Sequence, residues 1–289
     1  MKVLVTGVKG QLGYDVVKEL QKRAHEAVGV DIDEMDITDK AAVERCIARE
    51  KPHAVIHCAA WTAVDKAEQC PQTVYEVNAL GPKYIAEACK SIGAKMVFLS
   101  TDYVFAGTGD TPYKTDDDRE GLSVYGRTKL QGEDFVRAVL DEYYIVRITW
   151  AFGVNGGNFV KTMLRLADSG KTELSVVNDQ IGSPTYTVDL ARLLVDMVET
   201  NKYGVYHATN EGYCSCDEFA CEIFKQAGKP IKVNPVSTEE YLQMVPQQAR
   251  RPLNSRLDKS KLTASGFTPL PSWQDALKRY LEELQYGAN

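Results

Sequence analysis

Over its first 150 residues the chain alternates short β-branched runs with amphipathic helical stretches, and that alternation leaves little choice of architecture. Strand-like runs at 3–6, 27–31, 54–60, 95–100 and 144–150 are separated by helical patterns over 11–23, 40–50, 79–92 and 124–140. A strand followed by a helix returns beside its predecessor in parallel, so the expected class is α/β, a doubly wound parallel sheet buried on both faces. After Trp150 the pattern breaks into a Gly-rich loop, a helix at about 158–169 and a strand-like 172–178. Helix 187–200 and strand 205–208 are expected to rejoin the first sheet. The domain reading is therefore 1–150 plus about 185–210 as one unit, with about 151–184 and 211–289 as a smaller C-terminal lobe. No repeat, low-complexity segment or Pro-rich linker tethers the two, which places a ligand between them.

Charge and composition exclude several partners. Of 289 residues 44% are hydrophobic and 26% charged, an ordinary globular balance. The net charge of -6, with scattered Lys and Arg, lacks the concentrated basic patch of a nucleic-acid surface. The opening MKVLVTG is too short an apolar run for a signal peptide, and no stretch approaches the roughly 18 apolar residues of a membrane span. The expectation is a cytoplasmic protein with a small-molecule partner. Seven cysteines read as reduced thiols, and Cys214, Cys216 and Cys221 with His207 lack zinc spacing, so no metal site is expected.

Gly7, Gly10 and Gly13 form G-x-x-G-x-x-G between the first strand and its helix. The first glycine permits a tight turn, the second lets backbone N–H groups approach a pyrophosphate, and the third permits close packing, while the helix N-terminus favours the anion. Asp31 ends the next strand 24 residues beyond Gly7, where a carboxylate can accept both adenosine ribose hydroxyls. The stretch DIDEMDITDK holds five acids before its first base, a poor setting for a 2′-phosphate. The expected cofactor is thus NADH or NADPH, with NADH favoured. Small Ala59 and Ala60 after the third strand and Asn78 opening the next helix fit close cofactor approach.

Tyr125 and Lys129 make Y-x-x-x-K, which on a helix puts both side chains on one face. Tyr14 and Lys18 repeat the pattern, but beneath the cofactor rather than at its reactive end. Hydride delivery to a carbonyl leaves an alkoxide that must be protonated. Tyrosine serves only if a cation stabilises its phenolate, so Lys129 is expected to lower the pKa of Tyr125 and to hold the nicotinamide ribose. Thr101 at the end of strand four is the third member, binding the substrate oxygen.

Taken together, GVKGQLG, AAWTAVDKAE, EVNALGP, STDYVFAG, YGRTKLQGE, RITWAFG, QIGSPT and RPLNSRLD occur in an order that resembles the dTDP-4-dehydrorhamnose reductases, a family of extended short-chain dehydrogenase/reductases. The resemblance spans nearly the whole chain and implies a Rossmann-type fold, NAD(P)H-dependent reduction of the C4 ketone of dTDP-4-dehydro-L-rhamnose, and Thr101, Tyr125 and Lys129 as catalytic residues. It implies cofactor contacts at Gly7, Gly10, Gln11, Leu12, Asp31, Asp36, Ile37, Ala59, Ala60, Trp61, Thr62, Asn78 and Ser100. It implies substrate contacts at Thr101, Asp102, Tyr103, Trp150, Asn158, Gln180, Ser183, Arg251 and Ser255. Some members dimerise through magnesium held by glutamates, one of them in the first helix. Here Asp15, with its shorter side chain, stands at the comparable place, which leaves both the metal and a homodimer open.

Two other readings remain in play. An epimerase of the same superfamily would use the same Tyr and Lys without net cofactor turnover, and a non-catalytic nucleotide-binding subunit would need neither. Dehydration is disfavoured because Tyr103, rather than a glutamate, follows Asp102.

Overall fold

A computed structural model describes residues 1–246 and 248–286. The C-terminal reading to 289 therefore includes positions, 247 and 287–289, that lie outside the described residues. Strand β1 (Lys2–Thr6) leads through α1 (Gln11–Lys22) to β2 (Glu26–Val30), and α2 (Lys40–Glu50) leads to β3 (Ala54–His57). Short helices α3 (Val64–Ala67) and α4 (Pro71–Tyr75), with a π-helical turn at Glu76–Leu80, precede α5 (Gly81–Ile92) and β4 (Lys95–Thr101). A 3-10 turn at Asp102–Val104 and a loop reach α6 (Val124–Val139) and β5 (Tyr143–Ile148). Next come β6 (Ala151–Phe152), α7 (Phe159–Asp168), β7 (Glu173–Val177), β8 (Ile181–Gly182), β9 (Thr185–Tyr186), α8 (Thr187–Val198) and β10 (Gly204–His207). The chain continues with β11 (Cys214–Ser215), α9 (Cys216–Gln226), β12 (Lys232–Val236), α10 (Thr238–Met244), α11 (Ser260–Ala264) and α12 (Trp273–Tyr286).

Six strands form one parallel sheet in the order β10-β5-β4-β3-β1-β2. This is the doubly wound α/β fold that the alternation requires. Side chains of successive residues point to opposite faces, so Val3 and Val5 meet α1 and α8 while Leu4 meets α2 and α5. On the first face Leu190, Leu193 and Leu194 of α8 are fully buried. Truncating any one of them to alanine costs about 2–5 kcal/mol, the lost transfer energy plus the cavity. On the second face Val43, Ile47, Ile85 and Val136 cover Val55, Phe98 and Ile145. A third cluster gathers Phe152, Val160, Leu174, Phe219, Phe224, Leu277 and Tyr280 away from the sheet.

Several boundaries differ from the sequence reading, and β2 and β5 end at Val30 and Ile148 rather than at 31 and 150. Strand β3 stops at His57 rather than at 60, because Ala59 N donates to Thr6 Oγ1 and Trp61 N donates to Asn78 Oδ1, which draws 58–62 out of the ladder. The helix expected from 79 is entered through the π turn, so Asn78 sits inside a continuous helical stretch and does not open it. The strand expected at 172–178 is present as β7, which pairs in parallel with β12 in a separate two-stranded sheet, outside the main one. By contrast β10 does pair with β5 at the edge of the main sheet.

The order reverses at β1 and β3, where the chain runs to β2 on one side and to β4 on the other. Open α/β sheets bind ligands outside the carboxyl ends of strands at such a point. Gly7 follows one of these strands and Ala59 the other.

Candidate active site

At the switch point Gly7 adopts φ +70, and a Cβ there would lie 2.8 Å from the Ala59 backbone. Only glycine lets the two strand ends approach this closely. Gly10 takes the N-cap position of α1 without a side-chain cap, which leaves first-turn N–H groups for an anion. The cavity beyond them, about 680 Å³, is lined by Gly7, Gly10, Gln11, Leu12, Asp31, Ala59, Ala60 and Thr62. Ser100, Thr101, Tyr125 and Lys129 line its far end. An adjoining pocket of about 360 Å³ is walled by Asp31, Asp36, Ile37, Ala60 and Trp61. A glycine cradle at a helix start, an acid at the end of β2 and this elongated space fit a dinucleotide.

Several expected contacts are spent within the protein. Asp31 Oδ2 accepts from Lys9 N at 2.9 Å and Oδ1 from Ile32 N at 2.9 Å. The Lys9 ammonium pairs with Asp33, so a base from the glycine loop joins the acidic stretch that linear counting treated as free of bases. Asn78 is buried, and its amide bonds both the N–H and the carbonyl of Trp61, so it shapes the 58–62 loop. Gln11 Oε1 accepts from Gly153 N at 2.8 Å and from Asn158 Nδ2 at 2.9 Å. Asn158 also donates to Gly153 O and Tyr280 Oη and caps α7 through Lys161 N. Ser183, fully buried, donates to Asn210 O at 2.6 Å. Asn158 and Ser183 line neither large cavity and tie loops together.

The reactive end is held by α6. Ser123 Oγ accepts from Gly126 N at 3.1 Å, and a Cβ on Gly126 would lie 2.3 Å from Tyr103 O, so only glycine lets α6 approach the 102–104 turn this closely. That approach sets the rings of Tyr103 and Tyr125 edge to face, 5.3 Å between centroids. Four residues on, the Lys129 ammonium donates to Leu99 O at 2.6 Å and lies 4.1 Å from the centre of the Phe98 ring. Burial pushes Lys129 down to about 7, against the pull of Glu133. Burial pushes the Tyr125 phenol up, and its hydrogen bond with Thr101 offsets this in part. This corrects one expectation: Tyr125 is raised rather than lowered, because burial dominates and the Lys129 ammonium is turned to the Leu99 carbonyl. Tyr14 is 40% exposed, with Lys18 Nζ 5.2 Å from its ring centre, and lines neither large cavity.

Beneath α6 lies a group that the sequence reading passed over. Glu133 is fully buried and accepts from Ser100 Oγ at 2.6 Å, Arg147 Nε at 2.8 Å and Arg147 Nη2 at 2.7 Å. Arg147 Nη1 donates to His207 Nε2 at 3.3 Å, which leaves Nδ1–H of a neutral His207 to donate to Asp258 O. Its spacing from Lys129 puts Glu133 on the same helix face, but nothing in the sequence pairs it with Arg147.

A second cavity, about 540 Å³, opens beside the first and shares Thr62, Tyr103, Trp150 and Ala151 with it. Gln180, Arg251 and Ser255 line it, as do Phe159, Cys216 and Tyr241, which the motifs did not single out. Asp102 accepts from Thr101 Oγ1 at 2.9 Å and Ser255 Oγ at 2.5 Å; burial pushes it up to about 6 against those bonds. Arg251 Nη1 donates to Tyr103 Oη at 3.2 Å, and burial pushes that phenol up to about 12. Trp150, with φ 44, packs its ring against Gly182.

Asp15, the acid at which the resemblance implies magnesium, is buried. One carboxylate oxygen accepts from Thr187 Oγ1 at 2.6 Å and the other is buried without a partner. Asp189, two residues after Thr187 on α8, is taken by Arg279 and Asn210. Among the described residues no cluster of three or more His, Cys, Asp or Glu is placed to hold a metal, and no helix is long and apolar enough to cross a membrane.

Against known proteins, residues 1–286 match the family described as RmlD substrate binding domain. The dTDP-4-dehydrorhamnose reductase of Streptomyces griseus is 42% identical over 281 residues, covering 95% of this chain and 91% of its own length. A crystal structure of the Clostridium acetobutylicum dTDP-4-dehydrorhamnose reductase superposes with a TM-score of 0.94 at 44% identity, covering 99% of this chain and 100% of that one. The Bacillus anthracis dTDP-4-dehydrorhamnose reductase, solved in complex with NADP, gives a TM-score of 0.92 at 41% identity, covering 98% and 99% of the two chains.

Proposed function

The chain belongs to the dTDP-4-dehydrorhamnose reductase family, and from that membership we propose that it reduces the C4 ketone of dTDP-4-dehydro-L-rhamnose, giving dTDP-L-rhamnose. The observation that carries this reading is the junction of the two cavities. Thr101, Tyr125 and Lys129 stand in the cofactor cavity beside Tyr103 and Trp150, two of the residues it shares with the second one. A ketone held at that junction meets both the cofactor and a proton source.

The nicotinamide, when bound, supplies the hydride. Tyr125, whose burial keeps it protonated at neutral pH, gives its proton to the C4 oxygen. Thr101 orients that oxygen through its hydroxyl. Lys129 compensates the phenolate left behind and holds the nicotinamide ribose; as an ammonium in a dry site it acts at far greater strength than in water. Trp150 packs against the deoxysugar, Asp102 receives its hydroxyls, and Arg251 answers the diphosphate. Segments 151–184 and 211–289 act as the sugar-nucleotide unit, and 1–150 with about 185–210 as the cofactor unit. Asp31 favours NADH, while Lys9 beside it softens the discrimination against NADPH.

Incubation of the purified protein with NADH or NADPH and dTDP-4-dehydro-L-rhamnose tests the reading. Stoichiometric loss of reduced-nicotinamide absorbance with formation of dTDP-L-rhamnose is expected. Sugar interconversion without net cofactor oxidation would make it an epimerase, and binding without chemistry would make it a nucleotide-binding subunit.

A further inference from the structure

Two carboxylates of the segment 65–68 reach different elements, and neither lines a large cavity. Asp65 accepts from Arg251 Nη2 at 3.0 Å and 2.9 Å through its two oxygens, and from Ala249 N at 2.9 Å. The other terminal nitrogen of the same guanidinium reaches Tyr103. Glu68 Oε1 accepts from Val124 N at 2.8 Å, the first amide of α6 and the one before Tyr125. Between them Ala67 is fully buried, packed with Val74 and Val124 and bordered by Trp61 and Tyr125.

We infer that Asp65 and Glu68 are positioning residues, Asp65 aiming Arg251 into the sugar-nucleotide cavity and Glu68 fixing the start of the helix that carries Tyr125. One short helix then registers the diphosphate end of the substrate against its reacting end. The inference rests on the proposed reductase reading for the roles of Arg251 and Tyr125.

The physical case has three parts. Both carboxylates are exposed, so as plain stabilising ion pairs or caps they contribute little. Both Asp65 oxygens take Arg251 Nη2 while Nη1 reaches Tyr103, so the guanidinium is held at two of its nitrogens, which a single contact would not do. The Glu68 bond satisfies an amide that α6 itself leaves without a partner, and it puts negative charge at the positive end of the helix. A misplacement of the reacting group by about 1 Å is enough to slow an enzyme about a hundredfold, so anchoring the first turn of α6 matters more for rate than for stability.

The two residues should fail differently. Asp65→Ala is expected to raise KM for the sugar nucleotide about tenfold, the effect of one lost charge-assisted hydrogen bond, with a smaller change in kcat. Asp65→Asn, which keeps one acceptor, should fall between Asp65→Ala and the wild type. Glu68→Ala is expected to lower kcat roughly tenfold to a hundredfold with a smaller change in KM. Glu68→Gln, which still accepts from Val124 N, should restore most of it. Thermal unfolding and NADPH affinity, measured on every variant, should stay near wild type. Calorimetric titration with dTDP reads the Asp65 arm independently of turnover. Weaker dTDP binding by Asp65→Ala supports the inference even if the wild type reduces no ketone, a result that would sink the reductase reading alone. Unchanged dTDP affinity in Asp65→Ala, equal KM and kcat losses in both alanine variants, or a Glu68→Gln no better than Glu68→Ala would overturn it.

Discussion

The wall of the cofactor cavity comes from successive strand ends, with Gly7 after β1, Asp31 after β2, Ala59 after β3 and Thr101 closing β4. The sugar-nucleotide cavity gathers Trp150, Gln180, Cys216, Tyr241 and Arg251 from separate loops and short elements. On the first side a buried sheet fixes the backbone, and glycine and alanine supply closeness by having little side chain. On the second, side chains hold one another through pairs such as Asp102 with Ser255, or Arg251 with Asp65. A site of the first kind is set by topology; one of the second kind is assembled from many small agreements. Substitutions should therefore act steeply around the sheet and in grades around the second cavity.

The steepest effect should come from the buried base of α6. Glu133→Ala leaves the Arg147 guanidinium buried without its carboxylate partner, and breaking such a pair costs about 3–5 kcal/mol. Denaturant unfolding should show the loss as a lower midpoint, with cofactor binding weakened because Ser100 is released as well. A variant as stable as wild type would mean that the pair is not the anchor its burial suggests.

Around the second cavity the change should be milder. Trp150→Ala should raise KM for the sugar nucleotide about tenfold, the scale of roughly 1.4 kcal/mol of lost ring packing, while cofactor affinity holds. Equal KM in a folded variant would remove Trp150 from the sugar pocket.

The pH profile bridges the two sides. Asp102, raised to about 6, carries its charge only above that value, and Lys129, lowered to about 7, carries its charge only below. If the carboxylate receives the sugar and the ammonium supports Tyr125, kcat/KM should rise through the first value and fall through the second, since it reports the free enzyme. Asp102→Asn should erase the acid limb alone. A flat profile between these values would assign both groups to structure.

Smallest of all should be the effect on cofactor choice. Asp31→Ala should weaken NADH more than NADPH, because the lost partners are ribose hydroxyls, yet only a few-fold in kcat/KM, since Lys9 already moderates the charge there. A larger loss with NADPH would reverse the assignment.

What the sequence made legible follows the same division. Parallel strands buried on both faces announce themselves as apolar runs, so the sheet and the return of β10 to its edge were readable. That Thr101, Tyr125 and Lys129 would line one cavity was readable because a strand end and a helical spacing of four determine where such residues go. The ionic partner of Arg147, the pairing of Lys9 with Asp33 and the spending of Asn78, Asn158 and Ser183 on loop contacts were not. Each depends on segments distant in sequence meeting in space, and a polar residue that ties two loops looks in sequence like one that meets a ligand. The rise in the Tyr125 pKa was hidden for a related reason: burial is a property of the whole fold, and here it outweighs a neighbouring charge that the spacing alone suggested.

The central claim is that chemistry occurs on α6, where the two cavities join, and not on α1, where the same Y-x-x-x-K spacing recurs. Steady-state reduction by Tyr125→Phe, compared with Tyr14→Phe, tests it most directly. Tyr125→Phe keeps the ring and removes the acid, so kcat should fall by roughly 10² to 10⁴ with cofactor affinity little changed, while Tyr14→Phe should match wild type. Near-full activity in Tyr125→Phe, or loss of activity in a folded Tyr14→Phe, would contradict the account and move the active site to the other helix.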